Sequence, residues 1–175
     1  MKSTICEILV RPAPGNPRQA IVQAGPLTFR AALGRSGRTA FKREGDGATP
    51  ITRMRLLRGF FRSDHMRIGR TALPMSPIRA SMLWCDASGN ANYNRPVRAP
   101  FAPSHERMKR DDHLYDICLV MDWNISTRRR DRGSAIFFHL AKPGYTPTEG
   151  CVAIRLRDMQ RLLPLIGPGT VVRVL

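Results

Sequence analysis

The sequence predicts a mainly β, single-domain protein with one or two short helices. Its 175 residues suit one domain with a hydrophobic core of its own. Proline and glycine, 14 of each, interrupt the chain at short intervals. The runs between them are rich in β-branched and aromatic side chains, which favour strands. We therefore expect a single domain over residues 1–175.

The strands are predicted in the runs that lie between these interruptions. In chain order they cover residues 19–24, 27–33, 81–86, 115–123, 134–141, 151–156 and 170–175. The Ala-Gly-Pro stretch at 24–26 predicts a hairpin between the first two strands. The Gly-Pro-Gly stretch at 167–169 predicts a turn before the last strand. The segment 40–80 is expected to be rich in loops.

Two segments have helical signals. The first covers residues 157–166, although Pro164 within it predicts a short or kinked helix. The apolar side chains that share one face of this helix are Met159, Leu162, Leu163 and Ile166. The second segment, residues 104–112, has Ser104 as a candidate N-terminal cap and predicts another short helix.

The unusual total in the composition is the charge. Lys and Arg number 29 against 13 Asp and Glu, which gives a formal net charge of +16 at pH 7. This excess favours anionic partners, although a solvated basic surface is the more common explanation. No zinc-finger spacing, aromatic RNA-binding signature or basic zipper accompanies the charge, so a nucleic-acid partner is not expected. No apolar run is long enough to predict a transmembrane segment.

The four cysteines are Cys6, Cys85, Cys118 and Cys151. They form no Cys-x-x-Cys pair and have no metal-ligand spacing with the four histidines. We therefore predict no metal site. Their number leaves the disulfide state open.

One stretch combines a candidate nucleophile with a candidate base. His139 lies in a predicted strand, and Cys151 follows Gly150 at the start of the next one. The Gly- and Pro-containing connection at 142–150 is predicted to turn back as a hairpin and bring the two side chains within hydrogen-bond reach. Acyl transfer on a cysteine needs this pair, because the imidazole removes the thiol proton and the thiolate attacks a carbonyl. The backbone N–H groups of Gly150 and Cys151 are candidates to hold the oxyanion.

A structural interpretation of the same residues stands beside the catalytic one. A cysteine at the start of a strand is more often a small buried apolar residue, and a histidine in a strand is more often a hydrogen-bonded core residue. The spacing alone leaves both interpretations open. Cys6, Cys85 and Cys118 lack a preceding glycine and are expected to be structural.

The segment 139–154, with Thr-Glu-Gly-Cys at 148–151, resembles the catalytic signature of the L,D-transpeptidase (YkuD-like) family. Residues 42–52, preceded by 32–37, resemble the segment that follows the first hairpin of the family. The stretches 84–86, 93–97 and 115–124 resemble a small proteobacterial subgroup with a shortened spacing between histidine and cysteine. The resemblance thus extends over nearly the whole chain. It implies a single catalytic domain built as a β-sandwich or barrel of mixed strands.

The resemblance also implies an activity on peptidoglycan. Cys151 would attack an L,D peptide bond of a stem peptide, form a thioester and transfer the acyl group to an amine of a neighbouring stem, which cross-links the wall. His139 would act first as base and then as acid, and the backbone carbonyl of Leu140 would orient its ring. No cofactor is implied.

Two alternatives remain at this point. If water resolves the thioester, the same site is an L,D-carboxypeptidase or endopeptidase. If Cys151 is structural, the chain is a non-catalytic basic module that binds nucleic acid or wall polymer.

The substrate-binding residues are predicted from groups that suit the carboxylates of a stem peptide. A guanidinium grips a carboxylate through two hydrogen bonds, so Arg95 is the first candidate. The other candidates to contact the substrate are Tyr93, Asn94, Tyr145, Thr148 and Glu149, with Asp112 and His113 as weaker ones. Tyr145 is expected either to line the groove or to pack against the strands.

Two positions depart from the family pattern. Most members have a histidine where Glu149 stands and an arginine where Ala153 stands, and the nearest arginine here is Arg155. These departures affect the expected substrate contacts but leave the nucleophile and the base in place.

The expected location rests on two observations that disagree. The resemblance implies the periplasm or cell envelope, where peptidoglycan lies. Residues 1–15 contain one lysine and a short apolar stretch that Glu7 interrupts, which is not the pattern of a secretory signal. That pattern alone favours the cytoplasm or an unconventional export route. We expect a monomer whose partners are donor and acceptor stem peptides.

Overall fold

The computed structural model describes residues 5–175 and confirms a mainly β fold with mixed strands. The strands are β1 (Glu7–Ala13), β2 (Asn16–Ala24), β3 (Leu27–Ala32), β4 (Arg38–Thr39), β5 (Thr49–Pro50), β6 (Arg53–Phe61), β7 (Met75–Pro77), β8 (Met82–Cys85), β9 (Arg95–Arg98), β10 (His105–Arg107), β11 (Ile117–Met121), β12 (Phe137–Leu140), β13 (Val152–Ile154) and β14 (Val171–Val174). A short helix, α1 (Leu156–Leu162), precedes the last strand. No helix among residues 5–175 is long and apolar enough to span a membrane.

The main sheet closes on itself. Its nine strands run in the order β11-β12-β13-β3-β2-β1-β14-β6-β7, and β6 also pairs with β11. All of these strands except β7 therefore form a barrel. The pairs β1/β14, β12/β13 and β6/β7 are parallel, and the other pairs are antiparallel.

The barrel core follows from the two-residue alternation of its strands. In β2, the side chains of Ala20, Val22 and Ala24 are buried while Gln23 is exposed. The predicted hairpin after this strand is confirmed, because Ala24 pairs with Leu27.

The helix predicted near the C-terminus is confirmed in a shorter form. Helix α1 ends at Leu162 and continues as one 3₁₀ turn over Leu163–Leu165. Pro164 lies in that turn and has no N–H to continue an α-helix. The predicted apolar face is buried in the barrel core: Met159, Leu162, Leu163 and Ile166.

The helix predicted over residues 104–112 is wrong. Residues His105–Arg107 form β10, which pairs with β8 in a three-stranded sheet of order β10-β8-β9. The local capping signal at Ser104 is weaker than the gain from this pairing, which also buries Met108 completely. Helix propensity is routinely overridden in this way by tertiary contacts.

The expectation of a loop-rich segment 40–80 is wrong for its middle. Strand β6 is nine residues long and lies between β14 and β11 in the barrel. Its buried Met54 and Leu56 alternate with the exposed Arg53 and Arg55. The arginines make this strand look polar in the sequence, although the alternation is that of a strand with one face in the core.

Candidate active site

Cys151 and His139 lie on adjacent parallel strands. Cys151 directly precedes β13, and His139 is in β12, with Phe138 opposite Val152 and His139 opposite Ala153. The predicted hairpin between them is therefore wrong. Parallel neighbours need a crossover connection, and residues 141–151 supply it by passing β3, where the Thr148 N–H donates to the Leu33 carbonyl at 2.8 Å.

The register places the thiol and the imidazole on the same face of the sheet. Phe138 and Val152 point into the barrel core. The alternate residues Phe137 and Cys151 belong to a second apolar cluster outside the barrel, and His139 shares their face. A cavity of about 370 Å³ opens there and is lined by both Cys151 and His139.

The His139 ring is buried and oriented by the backbone. Its Nδ1 lies 2.8 Å from the carbonyl oxygen of Leu140, so Nδ1 carries the proton and Nε2 is the basic nitrogen. Tyr115 packs against the ring with 5.3 Å between centroids. Burial lowers the pKa of His139 to about 4, while the hydrogen bond to Leu140 opposes this shift. The imidazole is therefore neutral near pH 7 and able to accept a proton.

The Cys151 thiol is held by the segment before β12. Its Sγ donates to the carbonyl of Ala135 and accepts from the N–H of Phe137, both at 3.3 Å. Burial raises the pKa of the thiol to about 12, and the Phe137 N–H opposes this rise. Among residues 5–175 no hydrogen bond joins Sγ to the His139 ring. The two pKa shifts favour a neutral thiol and a neutral imidazole at rest.

The turn before the nucleophile requires glycine. Gly150 has φ +132°, and a Cβ added there would lie 2.9 Å from the Ala48 carbonyl oxygen. The Gly150 N–H donates to Oγ1 of Thr148 at 3.2 Å, and that hydroxyl donates to the Cys151 carbonyl at 2.7 Å. The Cys151 N–H has no hydrogen-bond partner in the described part of the chain. Of the two predicted oxyanion groups, it is the one available in this state.

The first three substrate-binding candidates, Arg95, Tyr93 and Asn94, do not line the cavity. Arg95 is exposed on β9, opposite Cys85, and does not line the cavity. Tyr93 is buried and its hydroxyl donates to the Glu44 carboxylate. Asn94 is 1% exposed and its side chain makes only internal hydrogen bonds. The placement of these three residues does not fit direct substrate contact.

Of the remaining substrate-binding candidates, Tyr145 packs against the strands, whereas Thr148 and Glu149 line the cavity. Tyr145 is buried against Ala32 and Ala153 and stacks with Arg155, whose guanidinium carbon lies 4.9 Å from the ring centroid. Arg155 therefore does not replace the family arginine in the cavity. Of the predicted substrate-binding residues, Thr148 and Glu149 line the cavity.

The weaker candidates, Asp112 and His113, do not line the cavity and contact neighbouring charged side chains. Asp112 pairs with Arg110 at 2.6 Å. Nδ1 of His113 and Nδ1 of His65 contact the two carboxylate oxygens of Asp116 at 2.9 and 2.8 Å. Nε2 of His65 lies 2.9 Å from a guanidinium nitrogen of Arg62 and accepts from it, so Nδ1 of His65 donates to Asp116. Hydrogen bonds thus account for this cluster.

Several charged residues of the cavity have no distinguishing signal in the sequence. The cations are Lys42, Arg110 and Lys142, and the carboxylates are Glu44, Asp86, Glu106 and Glu149. Arg110 contacts Glu106 at 3.3 Å and lies over the Tyr115 ring at 5.1 Å. Although the chain has a net charge of +16, its cavity contains at least as many carboxylates as cations. Only the fold shows which of the chain's cations and carboxylates reach the nucleophile.

The fold and the site define a mixed β-barrel protein with a cysteine and a histidine in one cavity. The model of the L,D-transpeptidase catalytic domain family (YkuD) matches residues 17–174. The chain belongs to this family of cysteine-dependent transpeptidases. No curated protein matches the chain.

Proposed function

We propose that the protein is a peptidoglycan L,D-transpeptidase and that residues 1–175 form one catalytic domain. The observation that carries this proposal is the placement of Cys151 and His139 on one face of adjacent parallel strands, in one cavity. The contact between His139 and the Leu140 carbonyl supports it, because it leaves Nε2 as the basic nitrogen. Family membership supports the substrate class.

The first half of the reaction forms a thioester. Nε2 of His139 takes the thiol proton, and Sγ of Cys151 attacks the carbonyl carbon of an L,D peptide bond in a donor stem. The N–H of Cys151 stabilises the oxyanion. The bond to the terminal D-amino acid then breaks, and the imidazolium returns the proton to the leaving amine. The resting pKa values favour proton transfer during the attack over a preformed thiolate, since burial disfavours both charged forms.

The second half transfers the acyl group. A neutral amine of a neighbouring stem attacks the thioester, its proton passes to His139, and the thiolate leaves and is reprotonated. The product is a cross-link between two stems. We propose that the enzyme acts as a monomer in the periplasm or cell envelope, where donor and acceptor stems are found, and that carbapenems acylate its thiol. No cofactor takes part in this scheme.

The first test is the intact mass of the protein after exposure to a carbapenem. The wild type is expected to gain one lactam adduct, and Cys151→Ser to gain none. Cys6→Ser is the matched control, because it removes an exposed cysteine outside the cavity and keeps the adduct. A wild type without an adduct, or an adduct that persists in Cys151→Ser, would contradict the proposal.

The second test distinguishes transpeptidation from hydrolysis of the stem peptide. Incubation with purified tetrapeptide stems is expected to yield cross-linked dimers that have lost a terminal D-amino acid. Tripeptide monomers alone would instead assign an L,D-carboxypeptidase. A basic binding module would yield neither product, and its affinity for a polyanion would be unaffected by Cys151→Ala.

A further inference from the structure

The thiol of Cys151 is held by a short cradle, the segment Ala135–Phe137. The carbonyl of Ala135 accepts from Sγ and the N–H of Phe137 donates to it, each at 3.3 Å. The position of Sγ therefore depends on the backbone conformation of this cradle.

The cradle contains an unfavourable conformation. Ala135 has φ +51°, in the left-handed region that residues with a Cβ rarely adopt. Such a conformation persists only where the surroundings hold it. The group that holds it is the side chain of Asn94, whose Oδ1 accepts from the Ala135 N–H at 3.0 Å.

Asn94 is itself fixed in one orientation. Its Oδ1 also accepts from Nε1 of Trp84 at 2.9 Å, and its Nδ2 donates to the Trp123 carbonyl at 3.1 Å. A flipped amide would put Nδ2 against two N–H donors and Oδ1 against a carbonyl. Because the side chain is 1% exposed, water cannot replace these partners.

We propose that Asn94 is a positioning residue, which holds Ala135 in its left-handed conformation and thereby aims the Cys151 thiol. This role rests on the proposed acyl transfer at Cys151. It also explains why a residue that looks like a substrate contact in the sequence lies buried behind the cavity. A misplaced reacting atom slows the chemical step more than it weakens substrate binding.

The test is a rescue at residue 135. Asn94→Ala is expected to lower the rate constant for acylation of Cys151 by a carbapenem between about 10-fold and 100-fold, with little change in the concentration for half-saturation. Asn94→Ala combined with Ala135→Gly is expected to recover roughly fivefold, because glycine takes a positive φ without the steric cost of a Cβ. A role in packing around Trp84 and Trp123 alone would not be rescued at residue 135.

The control is Asn92→Ala, an exposed asparagine two residues earlier, which is expected to keep the wild-type rate. If Asn94→Ala does not fold, Ala135→Gly is compared with the double variant, and the loss of Asn94 should then cost about 2-fold to 20-fold. A wild-type rate in folded Asn94→Ala, or no recovery in the double variant, would overturn the proposal.

Failure of the proposed function gives a different result. If the carbapenem does not acylate the wild type, alkylation of Cys151 by iodoacetamide still reports the position of the thiol. This rate is expected to rise in Asn94→Ala, because the thiol is less firmly held, and to return towards wild type in the double variant. A rate that is the same in all three proteins would overturn the role of Asn94.

Discussion

The ionisation of His139 links the cavity to the stability of the fold. Burial lowers its pKa from 6.5 to about 4. Between these two pH values the unfolded chain binds a proton that the folded chain does not bind, so the free energy of unfolding falls as the pH falls from 6.5 towards 4. This contribution is about 3 kcal/mol at most. In His139→Gln this contribution to the pH dependence is expected to disappear. Urea unfolding at a series of pH values measures the free energy of unfolding in both proteins. An identical pH dependence in both proteins would contradict the assignment.

At the same residue scale, the sequence identifies the cysteine and the histidine that line the cavity, but few of their neighbours. Cys151 and His139 belong to one continuous motif, so their association is visible without the fold. Arg110 and Glu44 reach the cavity from segments distant in the sequence. Arg95 and Asn94 are adjacent in the sequence, yet one side chain is exposed and the other is buried. Composition carries no information about that difference.

At the scale of elements, the connection before Cys151 offers a matched pair of glycines. Gly150→Ala combines a positive φ with a Cβ 2.9 Å from the Ala48 carbonyl, whereas Gly144→Ala has φ +74° and no atom within 4 Å. Gly144→Ala is expected to cost about 1 kcal/mol of unfolding free energy. Gly150→Ala is expected to cost roughly 3 kcal/mol, because the backbone must also shift. Chemical denaturation measures both, and equal losses would show that the close approach to Ala48 is unimportant.

The strands that the sequence does not predict, β6 and β10, are hidden for the same physical reason. Strand β6 carries arginines on its outer face, and β10 has the local signals of a helix cap. Both are stabilised by pairing with strands distant in the sequence, which no local pattern reports. The parallel direction of β12 and β13 likewise depends on a crossover that bonds to Leu33 after β3, which the glycines and prolines between the two strands do not reveal. The hairpin between β2 and β3 has a two-residue turn and is predictable for that reason.

At the scale of the whole molecule, the charge of +16 and the mixed charges of the cavity predict two different salt dependences. Binding to isolated peptidoglycan, whose stem peptides carry carboxylates, is expected to weaken steeply as salt is raised from about 50 to 500 mM. The Debye length falls roughly threefold over this range. The rate of acylation by a soluble tetrapeptide stem should change much less, because Lys42 and Arg110 of the cavity have carboxylate partners. Co-sedimentation and single-turnover kinetics measure the two. If salt lowered the binding to peptidoglycan and the rate of acylation to the same extent, the two salt dependences would not be distinct and the prediction would be contradicted.

Because β12 pairs with β13 in parallel, the distance in space between His139 and Cys151 does not depend on the number of residues between them. The relative height of thiol and imidazole is set by the ladder that puts Phe138 opposite Val152. Residues 142–144 of the crossover are exposed and do not take part in that ladder. Insertions there are expected to lengthen a surface segment and to leave the thiol and the imidazole where they are. The number of residues between histidine and cysteine is therefore a poor measure of the distance between the two side chains.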